Sequence, residues 1–169
     1  RSLKISIEKL TESNEDVYNV LVSPNHKKLD YRVGIGNLMI ADIKDGNIFN
    51  SNTYYSGWAE AEDVSWSPDS KYIAYSQEDL NFDSEIFIQS VENPNNKFNV
   101  SMHPRSDSNP VWSPDGSKLG FESIRNNGDS DLWFAWLKKE AVKITDGLFS
   151  TNQSIIPINL GKKTIWAND

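Results

Sequence analysis

Two stretches of this chain gather acidic side chains that could act together. "SGWAEAEDVS" sets Glu60, Glu62 and Asp63 beside Trp58, and "QEDLNFDSE" carries Glu78, Asp79, Asp83 and Glu85. Carboxylates in this arrangement do not make a general acid–base pair without a cleft and a second titrating partner. They do suit a surface that attracts a cationic protein or peptide, with the indole as an anchor. A third cluster, "RNNGDSD", places Arg125 close to Asp129 and Asp131. A guanidinium and a carboxylate in one loop predict a bracing ion pair, and Arg125 also stands as a candidate for the binding surface. The same run lacks the alternating acids, glycine and distal glutamate of a calcium loop, so no metal is expected there.

Other chemistries find little support. The two histidines, His26 and His103, are far apart and the chain has no cysteine, which excludes disulfides and thiolate metal sites and argues against zinc. No Gly-x-Ser-x-Gly elbow is present, and "GIGNLM" at Gly34 lacks the third glycine and the helix of a dinucleotide loop. The expectation is therefore no catalytic, cofactor-binding or metal-binding residue in this segment. A formal net charge of −7 disfavours nucleic acid and anionic lipid as partners. No apolar run approaches the roughly 18 residues of a membrane span, so no membrane insertion is expected. The opening "RSLKISIEKL" shows no signal-peptide core.

The elements that must hold these residues follow from a repeat. "LVSPNHKKLDYRV", "VSWSPDSKYIAYS" and "PVWSPDGSKLGFES" align on Ser23–Pro24, Ser67–Pro68 and Ser113–Pro114, about every 45 residues. In each copy proline presets φ, and Asn25, Asp69 or Asp115 can bond the nearby backbone. The next position accepts positive φ, most readily at Gly116. The flanks alternate. Tyr18, Val20 and Val22, then Val64 and Trp66, then Pro110 and Trp112 read as one buried strand face; Leu29 and Tyr31, Ile73 and Tyr75, Leu119 and Phe121 read as the next. Trp66 and Trp112 hold the same place in consecutive repeats and are expected to pack between them. A third strand ("NLMIAD", "EIFIQS", "DLWFAW") and a fourth ("GNIFNS", "KFNVS", "AVKIT") complete each copy.

Four short strands per repeat predict an all-β fold, a β-propeller segment of about three to four blades within a larger propeller. The expected division is an outer strand of a preceding blade over 1–13, blades over 14–56, 57–102 and 103–147, and a partial blade over 148–169. A ring of four closed by the first strand is the alternative.

The third copy runs Trp112, Ser113, Pro114, Asp115, Gly116, Lys118, Phe121, Ser123, Arg125, Asp131 and Leu132. It resembles the WD-like propeller repeats of the TolB and tricorn-protease families. The second copy keeps Trp66, Pro68 and Asp69 but has no arginine in its loop, and the first has Val22 in place of the tryptophan. The resemblance implies a structural role for these repeat positions. "DLWFAWLKKE" and "VKITDGLFST" are more similar to the propellers of tricorn-like serine peptidases, where the propeller is a non-catalytic filter or docking platform. A TolB-like protein-interaction module without an attached enzyme is the other reading. The resemblance favours a cell-envelope setting, and composition leaves the compartment and the oligomeric state open.

Overall fold

A computed structural model of the chain describes residues 5–137 and the short strand Ile158–Asn159. The described residues form three four-stranded sheets, each antiparallel between neighbours. The first holds β1 (Val17–Val22), β2 (Lys28–Val33), β3 (Asn37–Lys44) and β4 (Asn47–Tyr55) in that order. The second holds β5 (Glu62–Trp66), β6 (Tyr72–Glu78), β7 (Ser84–Ser90) and β8 (Lys97–Asn99). The third holds β9 (Asp107–Trp112), β10 (Lys118–Asn126), β11 (Asp129–Trp136) and β12 (Ile158–Asn159).

The Ser-Pro turns join the first two strands of every sheet, and their chemistry repeats. The serine hydroxyl donates to the side chain two residues on: Ser23 to Asn25 at 2.9 Å, Ser67 to Asp69 at 2.7 Å, Ser113 to Asp115 at 2.6 Å. The same oxygen accepts the N–H that opens the next strand, from Lys28 at 3.0 Å, Tyr72 at 3.0 Å and Lys118 at 2.9 Å. His26, Ser70 and Gly116 sit at φ +57, +61 and +71, as the turn requires. A second repeat is hidden in the first strands. Each carries a register shift beside a residue at positive φ: Asn19, Asp63 and Asn109. Asn and Asp tolerate that conformation better than other side chains, so each first strand bends at a bulge.

The sheets pack face to face. Leu38 and Ile40 of the first meet Trp66, Ile73 and Tyr75 of the second around Ala61. Ala74, Ile86 and Ile88 of the second meet Leu119, Phe121 and Trp133 of the third. Both tryptophans reach back to the preceding sheet: Trp66 Nε1 donates to Asp30 at 2.5 Å, and Trp112 Nε1 to the Ser65 carbonyl at 3.1 Å. In each case a hydrogen bond to the preceding sheet is added to the packing of the ring. Lys97 ties the first two sheets differently, lying over the rings of Phe87, Tyr75 and Tyr55.

Three expectations change. The face of Tyr18, Val20 and Val22 is not buried: Val20 and Val22 are exposed, because no sheet packs on β1 among the described residues. Residues 5–13 carry no strand, and Ile5 and Ile7 stand in the open for the same reason. Ile158–Asn159, expected in a further partial blade, pairs with Phe134 and Trp133 at the outer edge of β11. That edge offers unpaired backbone groups that a short strand can cover. The expected fourth strand "AVKIT" lies outside the described residues.

Candidate functional site

The strands fix two ends for every sheet. The Ser-Pro turns lie at one end, and the loop 79–83 and the connection 56–61 lie at the other. The two acidic stretches therefore meet although they are separate in sequence. Trp58 is 61% exposed and stands edge-on to Phe82, with ring centroids 6.2 Å apart and planes at 85°. Phe82 is 74% exposed. Aromatic pairs of this geometry attract beyond their buried area. Leu80, Ile35 and Met102 are also exposed at this end.

Carboxylates gather at the same end of the sheets. Glu62 has its pKa raised by partial desolvation and then by the charges of Asp63, Glu60 and Glu78, while Arg32 opposes the shift. Four acids thus crowd within electrostatic reach of one another. Glu60 packs over Gly36, where φ is +101 and a Cβ would collide with its side chain. The glycine is what lets this carboxylate fold down beside the loop.

Four of the seven acids in these stretches are occupied by architecture. Asp83 accepts the Ser106 hydroxyl at 3.3 Å, and Glu85 accepts the Ser101 hydroxyl at 2.6 Å. Asp79 accepts the Asn81 N–H at 2.7 Å and the Asp83 N–H at 3.2 Å, which shapes the loop that presents Phe82. These bonds to its anion lower its pKa. Asp63 sits in the bulge of β5, and its Oδ2 accepts the Ser76 hydroxyl at 2.7 Å and the Asn109 N–H of the next sheet at 3.3 Å. Glu60, Glu62 and Glu78 carry no such structural hydrogen bond among the described residues.

Arg125 is a correction. Its side chain is 6% exposed and forms a salt bridge, not with Asp129 or Asp131, but with Asp107, which is fully buried. Nη2 lies 3.0 Å from each carboxylate oxygen, Nε donates to the Ser123 hydroxyl at 2.7 Å, and the guanidinium lies over Trp133 and Phe121. Antiparallel pairing sets Asp107 opposite Ser123, so the arginine two residues on folds back to it. Arg125 braces the third sheet and contributes nothing to the acidic face. Asp131 pairs with Ser123 in the ladder between β10 and β11. Asp69, Asp115, Pro68 and Pro114 serve the turns at the far end.

A second buried ion pair was not foreseen. Asp30 and Arg32 lie between the first two sheets, Oδ2 to Nη1 at 3.7 Å, with neither atom hydrogen-bonded. Arg32 donates through Nη2 to the Ala61 carbonyl, which anchors the connection carrying Trp58 and Glu60. Burial pushes the Asp30 pKa up to about 6, although the Trp66 indole and Arg32 pull it down. An aspartate raised in the folded state contributes stability below its unfolded pKa near 3.8 that is lost as pH rises towards 6. At about 1.36 kcal/mol per unit, roughly 3 kcal/mol is at stake. Urea unfolding of the chain should therefore show stability falling between pH 4 and 7, and Asp30→Asn should flatten that fall.

Among the described residues, no group of three or more His, Asp and Glu side chains could hold a metal ion. His26 is exposed in its turn, and His103 has Nδ1 buried without a hydrogen-bond partner.

No family model matches the chain, and no curated protein matches it. Solved structures do. TolB from Acinetobacter baumannii matches with a TM-score of 0.58 at 17% identity, over 77% of this chain and 32% of its own. The tricorn protease matches with a TM-score of 0.61 at 19% identity, over 77% of this chain and 14% of its own. The fold is a β-propeller. Its blades are similar in fold to those of TolB and the tricorn protease. A prolyl endopeptidase also matches, with a TM-score of 0.51 at 16% identity, over 73% of this chain and 21% of its own. The chain spans about a third of the TolB structure and about a seventh of the tricorn structure.

Proposed function

We propose that this propeller segment is a non-catalytic module that binds a protein or peptide, with the end around Trp58 and Phe82 as its contact face. The observation that carries the reading is the exposed pair Trp58 and Phe82, at the same end of the sheets where Glu60, Glu62 and Glu78 gather. Folding leaves two large rings in water, and a partner that covers them recovers their apolar burial. The carboxylates select a basic partner and speed its encounter, an effect that salt screens. The parent in this reading is a tricorn-like serine peptidase, in which the segment docks or gates substrate. The likeness to TolB supports the second reading, an envelope interaction module with no enzyme attached. A serine hydrolase domain encoded in the same polypeptide beyond residue 169 favours the first, and a parent without one favours the second.

The test of binding itself is a panel of synthetic peptides that vary in Lys and Arg content and in aromatic content. Basic, aromatic-bearing peptides should bind best. Trp58→Ala and Phe82→Ala should each weaken them about tenfold, as for an interface anchor. Equal binding of acidic and basic peptides would count against the proposal.

A further inference from the structure

The opposite end of the sheets holds a cavity of about 330 Å³ between the Ser-Pro turns of the second and third sheets. Pro68, Tyr72, Trp112 and Leu137 form its apolar walls, and Asp69, Asp115 and Lys71 its charged rim. One difference between repeats leaves space at its mouth. Between the first and second sheets the Asn25 N–H donates to the Ser70 hydroxyl at 3.1 Å, closing one turn on the next. Between the second and third sheets the corresponding residues are Asp69 and Gly116. Glycine has no hydroxyl to offer, so the cross-turn bond is missing and space opens where a side chain would stand. A Cβ at Gly116 would meet only Pro68 Cδ, at 3.8 Å.

The contents of the cavity define what fits. The volume lies at the small end of ligand sites, about 300–1,000 Å³, and suits one long side chain. Two carboxylates face one ammonium at the rim, and Glu92 adds its charge near Tyr72. Bonds from Ser113 and Ser117 hold the Asp115 pKa down at about 2, so it stays anionic. An aliphatic stem would lie along Trp112 and Leu137 with a cationic head between Asp69 and Asp115, much as long basic side chains bury the stem and keep the head polar.

We propose that this cavity is a second binding pocket, taking one arginine or lysine side chain of a partner polypeptide. It is independent of the Trp58 face. The probe is acetyl-Gly-Arg-Gly-amide, followed on the full chain through the Gly116 amide and Trp112 indole resonances. Saturable shifts are expected with a Kd of about 1 mM. The norleucine peptide, which has the stem without the charge, should bind at least tenfold more weakly. Gly116→Ser should abolish the shifts, and Ser70 shows that serine accepts this backbone. Asp69→Asn with Asp115→Asn should weaken them at least tenfold, and Asn25 shows that asparagine keeps the turn's bonds. Trp58→Ala should leave them unchanged. Absent shifts, equal binding of the norleucine peptide, or shifts that survive both the Gly116 and the double asparagine variants would overturn the proposal.

Discussion

Arg125→Met is expected to cost about 3–5 kcal/mol in urea unfolding, because it leaves the fully buried Asp107 carboxyl without its partner. The guanidinium currently satisfies both carboxylate oxygens at 3.0 Å and shields Trp133 and Phe121 from the charge. Methionine keeps part of the stem volume, so the loss reports the charge rather than a cavity. Replacing both partners, Arg125→Met with Asp107→Leu, should recover most of the loss, since an apolar pair of similar volume often equals a buried ion pair. A full loss in the double variant would show that packing, not the unpaired carboxylate, sets the effect. Domains of this kind are stable by about 5–15 kcal/mol in total, so the single variant should also lower the unfolding midpoint visibly.

Trp66→Ala should cost a similar 3–5 kcal/mol, the range for a large buried aromatic. Trp66 is buried against Leu38 and Ile40 of the first sheet and donates its indole N–H to Asp30. Trp66→Phe separates the two contributions. It keeps most of the ring but withdraws the donor, so roughly 1–3 kcal/mol is expected. It should also steepen the loss of stability between pH 4 and 7, because the indole is one of the groups that lower the Asp30 pKa. Val22→Ala at the same repeat position should cost below about 1 kcal/mol, since Val22 is 50% exposed. A pH profile for Trp66→Phe that matches the unaltered chain would remove Asp30 from the account.

How much of this was legible in sequence depends on how local each cause is. The Ser-Pro turns were readable because serine, proline, Asp or Asn and a positive-φ residue act within five positions. The alternation of Ile73 with Tyr75 and of Leu119 with Phe121 was readable because strand period is local too. The partner of Arg125 was not. Asp129 and Asp131 are nearer in sequence, but the register that sets Asp107 opposite Ser123 passes through the bulge at Asn109, and no propensity reveals it. The Asp30–Arg32 pair and its link to Trp66 join two blades, so no single repeat announces them. Of the candidate site, Trp58 and the acids were legible as exposed types in loops. Phe82 was quoted within its loop but not singled out, because only the folded loop brings its ring to the Trp58 edge. Asp63 and Asp79 read as partners for a ligand but bond the fold around them, backbone N–H groups and, for Asp63, the Ser76 hydroxyl, a use that a carboxylate's identity alone does not separate from recognition.

The account rests on the acidic aromatic face as a place of contact. The most direct measurement is calorimetric titration of a basic, aromatic-bearing peptide into the chain and into Glu60→Gln/Glu62→Gln/Glu78→Gln, each at low and at high salt. The account predicts that the unaltered chain loses affinity as salt rises, and that the triple variant binds at least tenfold more weakly with little salt dependence. The triple variant should still unfold in a single cooperative transition. Equal affinity and equal salt dependence in the two proteins would contradict the account.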